Sequence, residues 1–484
     1  MSDIRSLEPR PLWGYFADIC EIPHPSKHEE KAVAYLVEFG KKHGLSVQTD
    51  EVGNVLIRKP ATPGMENRAS IVLQAHIDMV PQKNGDVEHD FTKDPIIPRI
   101  DGEWVKATGT TLGADNGIGV AAALAVMSAD NIEHGPVEVF ITIDEETGMT
   151  GANNLKPEWI QSKILINLDS EHEGELFIGC AGGLNSNALF EYSFDPANPR
   201  SKTYVLTLKN LKGGHSGLDI NLGRANSNKL MVRFLWEASR SLDICLASFS
   251  GGNMRNAIPR EAVATVTVPS DNEEEFLELL EEFVSTWQKE YDRVEDSIEF
   301  TAELTTPVEM VMDKASEGLF LNALYTLPNG VFRMIPGTEV VETSSNLSIV
   351  NVEEGRAIVQ CLLRSSVNSF RQDAANAFTS AFELIGAAVE HGGDYPGWSP
   401  NFDSEILKTM KEAYKARFGK DAKVKIVHAG LECGLIGGVY PEMDMISFGP
   451  TIQHPHSPDE KVHIASVKNF WDYLTEILSR APKA

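Results

Sequence analysis

Histidines and acidic residues follow the ends of several predicted strands in the first third of the chain, and another histidine lies near the carboxyl end. In an open α/β sheet, the loops beyond the carboxyl ends of the strands meet in one crevice, so such side chains come together. Imidazole nitrogen with carboxylate oxygen is a zinc ligand set, and a surplus of carboxylates points to two ions. The positions are His76, Asp78, Asp115, Glu145, Glu146, Asp169 and His456.

His76 and Asp78 are two residues apart at the end of a strand predicted over 70–76, which places both side chains on one face. Asp78 can then accept the second imidazole N–H and fix the tautomer of the histidine. A lone H-x-D pair is more often an ordinary surface pair. The H-x-D pair therefore indicates a metal site only in combination with the other acidic segments.

Asp115 lies in a glycine-rich turn, TLGADNGIG, that leads into an alanine-rich helix predicted over 118–127. A glycine-rich turn at a helix amino terminus is also a way of binding phosphate. This turn lacks the G-x-x-x-x-G-K-[ST] pattern, and a carboxylate at this point repels phosphate. A carboxylate that bridges two cations suits the position better.

Glu145 and Glu146 follow an apolar strand predicted over 137–143, and neighbouring residues of an extended segment point to opposite sides. One of the two is then free to bind metal while the other faces the substrate. An acidic turn that closes a strand explains the pair equally well. Asp169, after a strand predicted over 164–168, is open to the same two interpretations because aspartate often begins turns.

Strands alternate with helices in the first third of the chain, which predicts an α/β fold with a mostly parallel, sandwiched sheet. From about Lys202 the order becomes strand, helix, two strands, helix and strand, and the first pattern returns after the turn-rich run GGDYPGWSP. We therefore predict one domain from 1–184 and 395–484, interrupted by an inserted α+β domain at 185–394 that is built on two related halves.

The 484-residue chain is 42% hydrophobic and 23% charged, as is typical of globular proteins. Its net charge of -27 argues against nucleic acid and membrane surfaces as partners. No signal region or membrane-length apolar stretch is found, so we expect a cytoplasmic protein. Its five scattered cysteines argue against a thiolate zinc site, so any metal must use His, Asp and Glu.

The segments LQAHIDMVP, GADNGIGV, DEETGMTGA, NLDSE, GGHSG and HSPDE resemble the motifs of a clan of dizinc peptidases that includes carboxypeptidase G, aminoacylase-1 and carnosinase. Within that clan they are most similar to bacterial dipeptidases that act on Xaa-His peptides. The resemblance spans essentially the whole chain. It implies a zinc-exopeptidase-like catalytic domain, a lid and dimerisation role for the inserted domain, and hydrolysis of dipeptides such as carnosine.

The resemblance also implies a metal centre bridged by Asp115, with a cis bond from Asp115 to Asn116. His456 is preferred to its neighbour His454 because it opens the segment HSPDE. Two divalent ions are expected, zinc first, although manganese and cobalt accept the same ligands. The implied ligand sets are His76, Asp115 and Asp169 for one ion, and Asp115, Glu146 and His456 for the other.

Glu145, which the resemblance leaves free of metal, is expected to act as general base and then as general acid. His215 matches a histidine of the inserted domain that stabilises the oxyanion, often from a partner subunit, unless it is simply held in a glycine-rich turn. Asn256 and Arg364 match substrate-contacting positions, and Arg364 suits a C-terminal carboxylate. Glu432 is a candidate for the substrate's ammonium group. For the last three residues, a surface ion pair or a polar loop is the alternative.

The sequence therefore predicts a homodimeric metallo-dipeptidase whose partner is a small dipeptide substrate. Hydrolysis of N-acyl amino acids or of tripeptides by a related site is the alternative activity, and a scaffold that only binds is a third class. N-acyl amino acids have no free amine, so a role for Glu432 would count against them. The presence of every ligand position argues against the scaffold.

Overall fold

The computed structural model of the protein describes residues 3–484, and the chain divides into two compact units. Unit 1 contains the chain up to Cys180 together with Trp398–Ile426 and Leu431–Ala484. Unit 2 contains Ala181–Gly397 and the short segment Val427–Gly430. The sequence did not predict that this short segment belongs to unit 2. The roles of catalytic domain and of lid and dimerisation domain stay predictions.

Polar residues begin several helices. Asn226, Asp313 and Ser404 each accept the backbone N–H of the residue three positions later, which satisfies a group that lacks a partner inside the helix. The α-helices are α1 (Arg10–Cys20), α2 (Glu30–Lys42), α3 (Ala114–Ser128), α4 (Glu145–Gly148), α5 (Thr150–Asn153), α6 (Ser227–Ser241), α7 (Glu273–Glu290), α8 (Lys314–Thr326), α9 (Asn368–Glu383), α10 (Glu405–Phe418), α11 (Glu432–Val439) and α12 (Ile464–Ser479).

The strands vary from fully buried runs to short exposed ribbons. They are β1 (Ser46–Thr49), β2 (Val55–Lys59), β3 (Ile71–His76), β4 (Arg99–Asp101), β5 (Trp104–Lys106), β6 (Val137–Thr142), β7 (Ile164–Asn167), β8 (Glu175–Cys180), β9 (Gly182–Glu191), β10 (Phe194–Pro196), β11 (Ser201–Lys209), β12 (Gly214–His215), β13 (Cys245–Gly251), β14 (Ala257–Ile258), β15 (Ala262–Pro269), β16 (Glu299–Leu304), β17 (Met310–Met312), β18 (Gly330–Met334), β19 (Val341–Glu353), β20 (Arg356–Ser365), β21 (Ala388–Tyr395), β22 (Lys423–Val427), β23 (Asp444–Ser447), β24 (Ile452–Gln453) and β25 (Lys461–His463).

Unit 1 is built on an eight-stranded sheet with the order β1-β2-β6-β3-β7-β23-β8-β22. Strands β6, β3, β7 and β23 pair in parallel, and every residue of β3, β6 and β7 is buried, as expected for parallel strands covered on both faces. The outer pairings of β1, β2 and β8 are antiparallel. The sheet is thus parallel at its centre and antiparallel on both sides of it.

Helix α3 is the central helix of unit 1 and is buried on almost all sides, with contacts to α1 and β3. Its alanines let these elements approach closely. The helix begins at Ala114, but Asp115 and Asn116 have non-helical backbone angles, so regular helix starts only after Asn116, close to the predicted start. The Asp115–Asn116 peptide bond is cis, as the resemblance implied.

Unit 2 is built on a nine-stranded sheet in which β18 pairs with β19 beside the path β16-β11-β15-β13-β19-β20-β9-β21. Helices α6, α7 and α9 pack on it, and together they bury a separate apolar core. A small ribbon of β12 and β14 carries His215 opposite Ala257. No helix in the described part of the chain is long and apolar enough to cross a membrane.

Candidate active site

The predicted metal ligands lie where elements of unit 1 begin or end. His76 is the last residue of β3, and Asp169 follows β7 by two residues, so these parallel neighbours present both side chains at one edge of the sheet. Asp115 lies at the non-helical start of α3, and Glu146 lies in the first turn of α4. His456 lies in the loop between β24 and β25.

The structure brings these five residues together in two groups of three. His76 Nε2 is 3.3 Å from Asp115 Oδ1 and 3.2 Å from Asp169 Oδ1. His456 Nε2 is 3.4 Å from Asp115 Oδ2 and 3.0 Å from Glu146 Oε2. Two ligands bound tetrahedrally to one zinc ion lie about 3.3 Å apart. Asp115 therefore offers one oxygen to each of two metal-sized sites.

The chemistry of the donor set fits divalent cations. Glu146 Oε1 is buried and has no hydrogen-bond partner among the described residues. A buried carboxylate oxygen without a partner costs free energy, which a bound cation removes. The two histidines and three carboxylates supply only nitrogen and oxygen ligands, as zinc, manganese and cobalt accept.

The protonation equilibria of the ligands also depend on one another. Burial alone would raise the pKa of Asp115, but hydrogen bonds with His456 and His76 hold that pKa below its usual range. Burial raises the pKa of Asp169 to about 7 despite the opposing effect of His76. The pKa of His456 is raised to about 11 by its hydrogen bonds to Asp115 and Glu146. Cationic and anionic charge are thus concentrated around Asp115.

Asp78 lies where the sequence predicted it, with Oδ1 3.3 Å from His76 Nδ1. His76 Nδ1 is also 3.1 Å from the Asp78 carbonyl oxygen, so a metal ion that replaced the proton on Nε2, which faces Asp115 and Asp169, would leave the ring proton on Nδ1. The Asp78 carboxylate further accepts the backbone N–H groups of Glu145 and Glu146 at 3.0 and 3.2 Å. One buried carboxylate therefore orients the histidine and holds the start of α4.

The expectation that Glu145 and Glu146 lie on an extended segment is wrong. Asp144 adopts a left-handed conformation with φ of 51°, and the chain turns there into the short helix α4. Hydroxyl groups of Thr147 and Thr150 bind the Asp144 carboxylate and stabilise this turn. The two glutamates still differ, because only Glu146 contacts His456.

Glu145 lies close to the centre without joining either of these groups. Its carboxylate comes within 4.8 Å of ligand atoms of His76 and Glu146, which together form a third possible group of ligands. Burial raises the pKa of Glu145 well above its usual range. Its position therefore permits either a proton-transfer role or ligation.

A further acidic group in unit 1, Glu29, Asp78 and Asp144, is also compact enough to hold an ion. All three residues are buried, but protein groups already donate hydrogen bonds to their carboxylates. Glu29 Oε1 accepts the Asp144 N–H at 3.1 Å, and the Asp144 carboxylate accepts two threonine hydroxyls. We infer that the Glu29 and Asp78 carboxylates hold the amino terminus of α4 in place by accepting its backbone N–H groups.

Glu460 is a residue of the site that the sequence analysis missed. It is 2% exposed, and its two oxygens accept four consecutive backbone N–H groups, from Leu112, Gly113, Ala114 and Asp115, at 2.7 to 3.2 Å. Burial raises its pKa to about 7 against the effect of these hydrogen bonds. The carboxylate thus fixes the turn that presents Asp115. Its only signal in the sequence was its place in HSPDE.

We expect Glu460→Gln to weaken metal binding by about 10- to 100-fold, because the amide replaces one acceptor oxygen with a donor facing backbone N–H groups. Competition with a zinc-binding dye measures this change. The neighbouring Asp459→Asn is the matched control, since Asp459 is exposed. Equal affinities for both variants and the wild type would show that the turn needs no support from Glu460.

Glu432 is buried in unit 1 and 1% exposed. Its Oε2 accepts hydrogen bonds from Gln74 Nε2 at 2.6 Å and Thr142 Oγ1 at 2.7 Å, whereas Oε1 has no partner among the described residues. Burial raises its pKa to about 7, although His76 lowers it. Glu432 is thus not part of a surface ion pair, which was the alternative interpretation. Its Oε1 is available to a ligand.

The remaining predicted residues belong to unit 2. His215 is half-buried, and its Nδ1 accepts the backbone N–H groups of Gly217 and Leu218 at 3.2 and 3.0 Å. Arg364 is 5% exposed and donates to Tyr395 Oη at 3.0 Å, so a surface ion pair does not explain it either. Asn256 is exposed in the loop before β14, and its role stays a prediction.

The chain is similar to known proteins over its full length. It is 48% identical to the cytosol non-specific dipeptidase of Escherichia coli K12 over 487 residues, covering 100% of each chain. The crystal structure of aminoacylhistidine dipeptidase from Vibrio alginolyticus matches with a TM-score of 0.96 at 50% identity, over 100% of this chain and 99% of that one. An aminopeptidase structure from Bacillus cereus ATCC 10987, with a TM-score of 0.58 at 16% identity over 98% of this chain and 99% of that one, shares the fold.

The family model described as Peptidase family M20/M25/M40 matches residues 72–480, which is most of the chain. The α/β fold class and the resemblance to a metallopeptidase clan are thereby confirmed. This chain belongs to peptidase family M20/M25/M40.

Proposed function

We propose that the protein is a dizinc dipeptidase that hydrolyses short peptides with two free termini and favours Xaa-His substrates such as carnosine. The observation that carries this proposal is the Asp115 carboxylate, whose two oxygens contact separate histidines in two three-residue groups. The full-length relatives named as dipeptidases support the substrate class. The name of the first also supports a cytosolic location.

The ligand roles follow from the two groups. His76 and Asp169 hold one zinc with Asp115, while Glu146 and His456 hold the other with the same Asp115. Bound zinc ions supply a water of lowered pKa and polarise the scissile carbonyl. The side chains' own task is to keep this geometry while a peptide enters and leaves.

Glu145 is the proton carrier in this proposal. Because burial raises its pKa, its carboxylate is a better proton acceptor than an exposed glutamate. It takes the proton of the attacking water and delivers it to the leaving amine. Asp78 holds the amino terminus of α4, and with it Glu145, in place.

His215 serves as the donor to the oxyanion. Its Nδ1 accepts two backbone N–H groups, so the proton of the neutral ring is on Nε2. Burial and the nearby Arg364 lower its pKa, which keeps the ring neutral at pH 7. A neutral Nε2–H is the donor that a developing negative charge requires. Arg364 binds the substrate's C-terminal carboxylate, Asn256 contacts the peptide, and Glu432 binds its ammonium group.

A substrate panel and a metal analysis test the proposal. We expect about two zinc ions per chain and faster hydrolysis of Xaa-His than of other dipeptides, with tripeptides and N-acetyl amino acids poor. Rapid cleavage of N-acetyl amino acids would make the protein a deacylase, and rapid cleavage of tripeptides would make it a tripeptidase. If the purified protein bound no divalent metal, a scaffold that only binds would be the remaining interpretation.

We also propose that the protein forms a homodimer through unit 2 and that His215 acts on the partner's metal centre. Two strongly exposed apolar residues near His215 and Asn256 in the chain, Leu218 at 59% and Met254 at 57%, support a covered face there. A twofold pair is the commonest arrangement of such subunits.

Mixing two inactive variants, His215→Ala and Glu145→Ala, should restore about a quarter of wild-type activity. Half of the randomly mixed dimers carry both lesions in one shared site and leave the other site complete. Homodimers of each variant are the controls. If subunit exchange is verified and no activity returns, His215 serves its own chain or has a structural role.

A further inference from the structure

His428 lies in the short segment Val427–Gly430 that belongs to unit 2. The residue is 6% exposed; its Nε2 is 2.7 Å from Ser344 Oγ, and its Nδ1 is buried with no hydrogen-bond partner among the described residues. The backbone of His428 packs closely against Gly217, since a Cβ at position 217 would lie 2.1 Å from the His428 carbonyl oxygen. His428 is therefore held in place, and its Nδ1 forms no hydrogen bond of standard geometry, although a backbone group of Val341 lies near the ring.

The contact with Ser344 decides which nitrogen of His428 carries the proton. Ser344 is 1% exposed, and its hydroxyl needs an acceptor because a buried O–H without one costs free energy. Its O–H therefore donates to Nε2, and the ring proton lies on Nδ1. Burial and the neighbouring Arg364 and His215 lower the pKa of His428 to about 3 against the opposing effect of a backbone group of Val341, so the ring is neutral.

Arg364 lies near His428 and carries a positive charge that no carboxylate of the described chain pairs with. Its two observed side-chain hydrogen bonds go to hydroxyl groups, Ser216 Oγ at 3.5 Å and Tyr395 Oη at 3.0 Å. A buried guanidinium is costly without an anion, and its fork of N–H groups fits a carboxylate. Arg364 is therefore a buried cation that contacts hydroxyl groups and has no paired carboxylate in the described chain.

We propose that His428 is a specificity-determining residue whose Nδ1–H binds the free C-terminal carboxylate of the peptide together with the Arg364 guanidinium. Arg364 supplies the charge, and His428 supplies a neutral donor from a second direction. The inference rests on the proposed dipeptidase function and extends it to a residue that the motifs did not single out. It predicts that the enzyme distinguishes a dipeptide from its C-terminal amide partly through His428.

A purely structural histidine is the competing interpretation, and the chain contains one for comparison. His134 in unit 1 also has a buried ring nitrogen, Nε2, without a partner. The lysine near it, Lys59, already donates to the carbonyl oxygens of Val126 and Ala129. His134 therefore has a free nitrogen but no unpaired cation beside it, and it is the matched control.

The test compares His428→Asn, whose amide nitrogen lies near the position of Nδ1, with His428→Gln, whose amide nitrogen lies near that of Nε2. The readout is the ratio of kcat/KM for alanylhistidine to kcat/KM for alanylhistidine amide. We expect His428→Gln to lower this ratio about tenfold or more, through KM, and His428→Asn to keep it within about threefold. His134→Gln should leave the ratio unchanged.

The proposal fails if His428→Gln keeps the wild-type ratio, or if both His428 variants lower it equally, since packing alone would then explain the residue. Calorimetric binding of both peptides to the zinc-loaded Glu145→Gln protein, with and without His428→Gln, needs no turnover. Preferential binding of the free acid that disappears with His428→Gln supports the inference even if the wild type hydrolyses neither peptide. The absence of hydrolysis in that case would overturn the proposed function but not the role of His428 in binding.

Discussion

Glu145→Gln should lower kcat by about 10²- to 10⁴-fold while the protein keeps both metal ions, because the lost group carries a proton and is not a ligand. The amide has nearly the same shape as the carboxylate, so the fold and the hydrogen bonds of Asp78 to the start of α4 remain. Single-turnover kinetics with alanylhistidine and the zinc content of the purified variant measure the two effects separately.

The neighbouring Glu146→Gln is the matched control for this experiment. Glu146 Oε2 contacts His456, so its replacement should release one metal ion as well as activity. If Glu145→Gln loses metal and Glu146→Gln does not, the two roles are reversed. The third group of possible ligands, His76, Glu145 and Glu146, makes this comparison necessary.

Asp115→Ala should abolish binding at both metal sites and reduce turnover to background, since a single residue contributes to both groups. Two effects combine in this variant: each ion loses a ligand, and His76 and His456 lose the carboxylate that lies between them. Zinc should then no longer raise the melting temperature, because a ligand stabilises a protein only in proportion to its binding.

Asp169→Ala provides the comparison, because Asp169 belongs to only one of the two groups. This variant should keep one zinc ion and part of the zinc-dependent stabilisation. Titration of each metal-free variant with zinc, followed by calorimetry, counts the sites directly. An Asp115→Ala protein that binds zinc like the wild type would show that the bridge lies elsewhere.

Features with a local signal in the sequence were predicted well. The strand predicted over 70–76 is observed as Ile71–His76, and the strand predicted over 137–143 as Val137–Thr142, because an apolar pattern is a property of neighbouring residues. The parallel pairing of β3 with β7 brings His76 and Asp169 together at the carboxyl ends of these strands, as the alternation of strands and helices indicated.

Features that depend on distant partners were missed. Glu460 binds N–H groups some 345 to 348 residues away in the chain, and no pattern of neighbouring residues reports such a contact. The turn at Asp144 and the free ring nitrogen of His428 likewise depend on side chains from other elements. Burial and hydrogen bonding at these points are properties of the fold, so only the structure identifies them.

The position of β23 in the middle of the unit 1 sheet has a consequence for biosynthesis. This strand lies between β7 and β8 although some 220 residues of unit 2 are made before it. At a synthesis rate of about 5–20 residues per second, the sheet waits roughly tens of seconds for its missing strand after β7 has been made. His456 follows β23, so the group of Asp115, Glu146 and His456 is incomplete until unit 2 has been synthesised. By contrast, His76, Asp115 and Asp169 all precede unit 2 in the chain, so the residues of the other group are synthesised before the inserted unit.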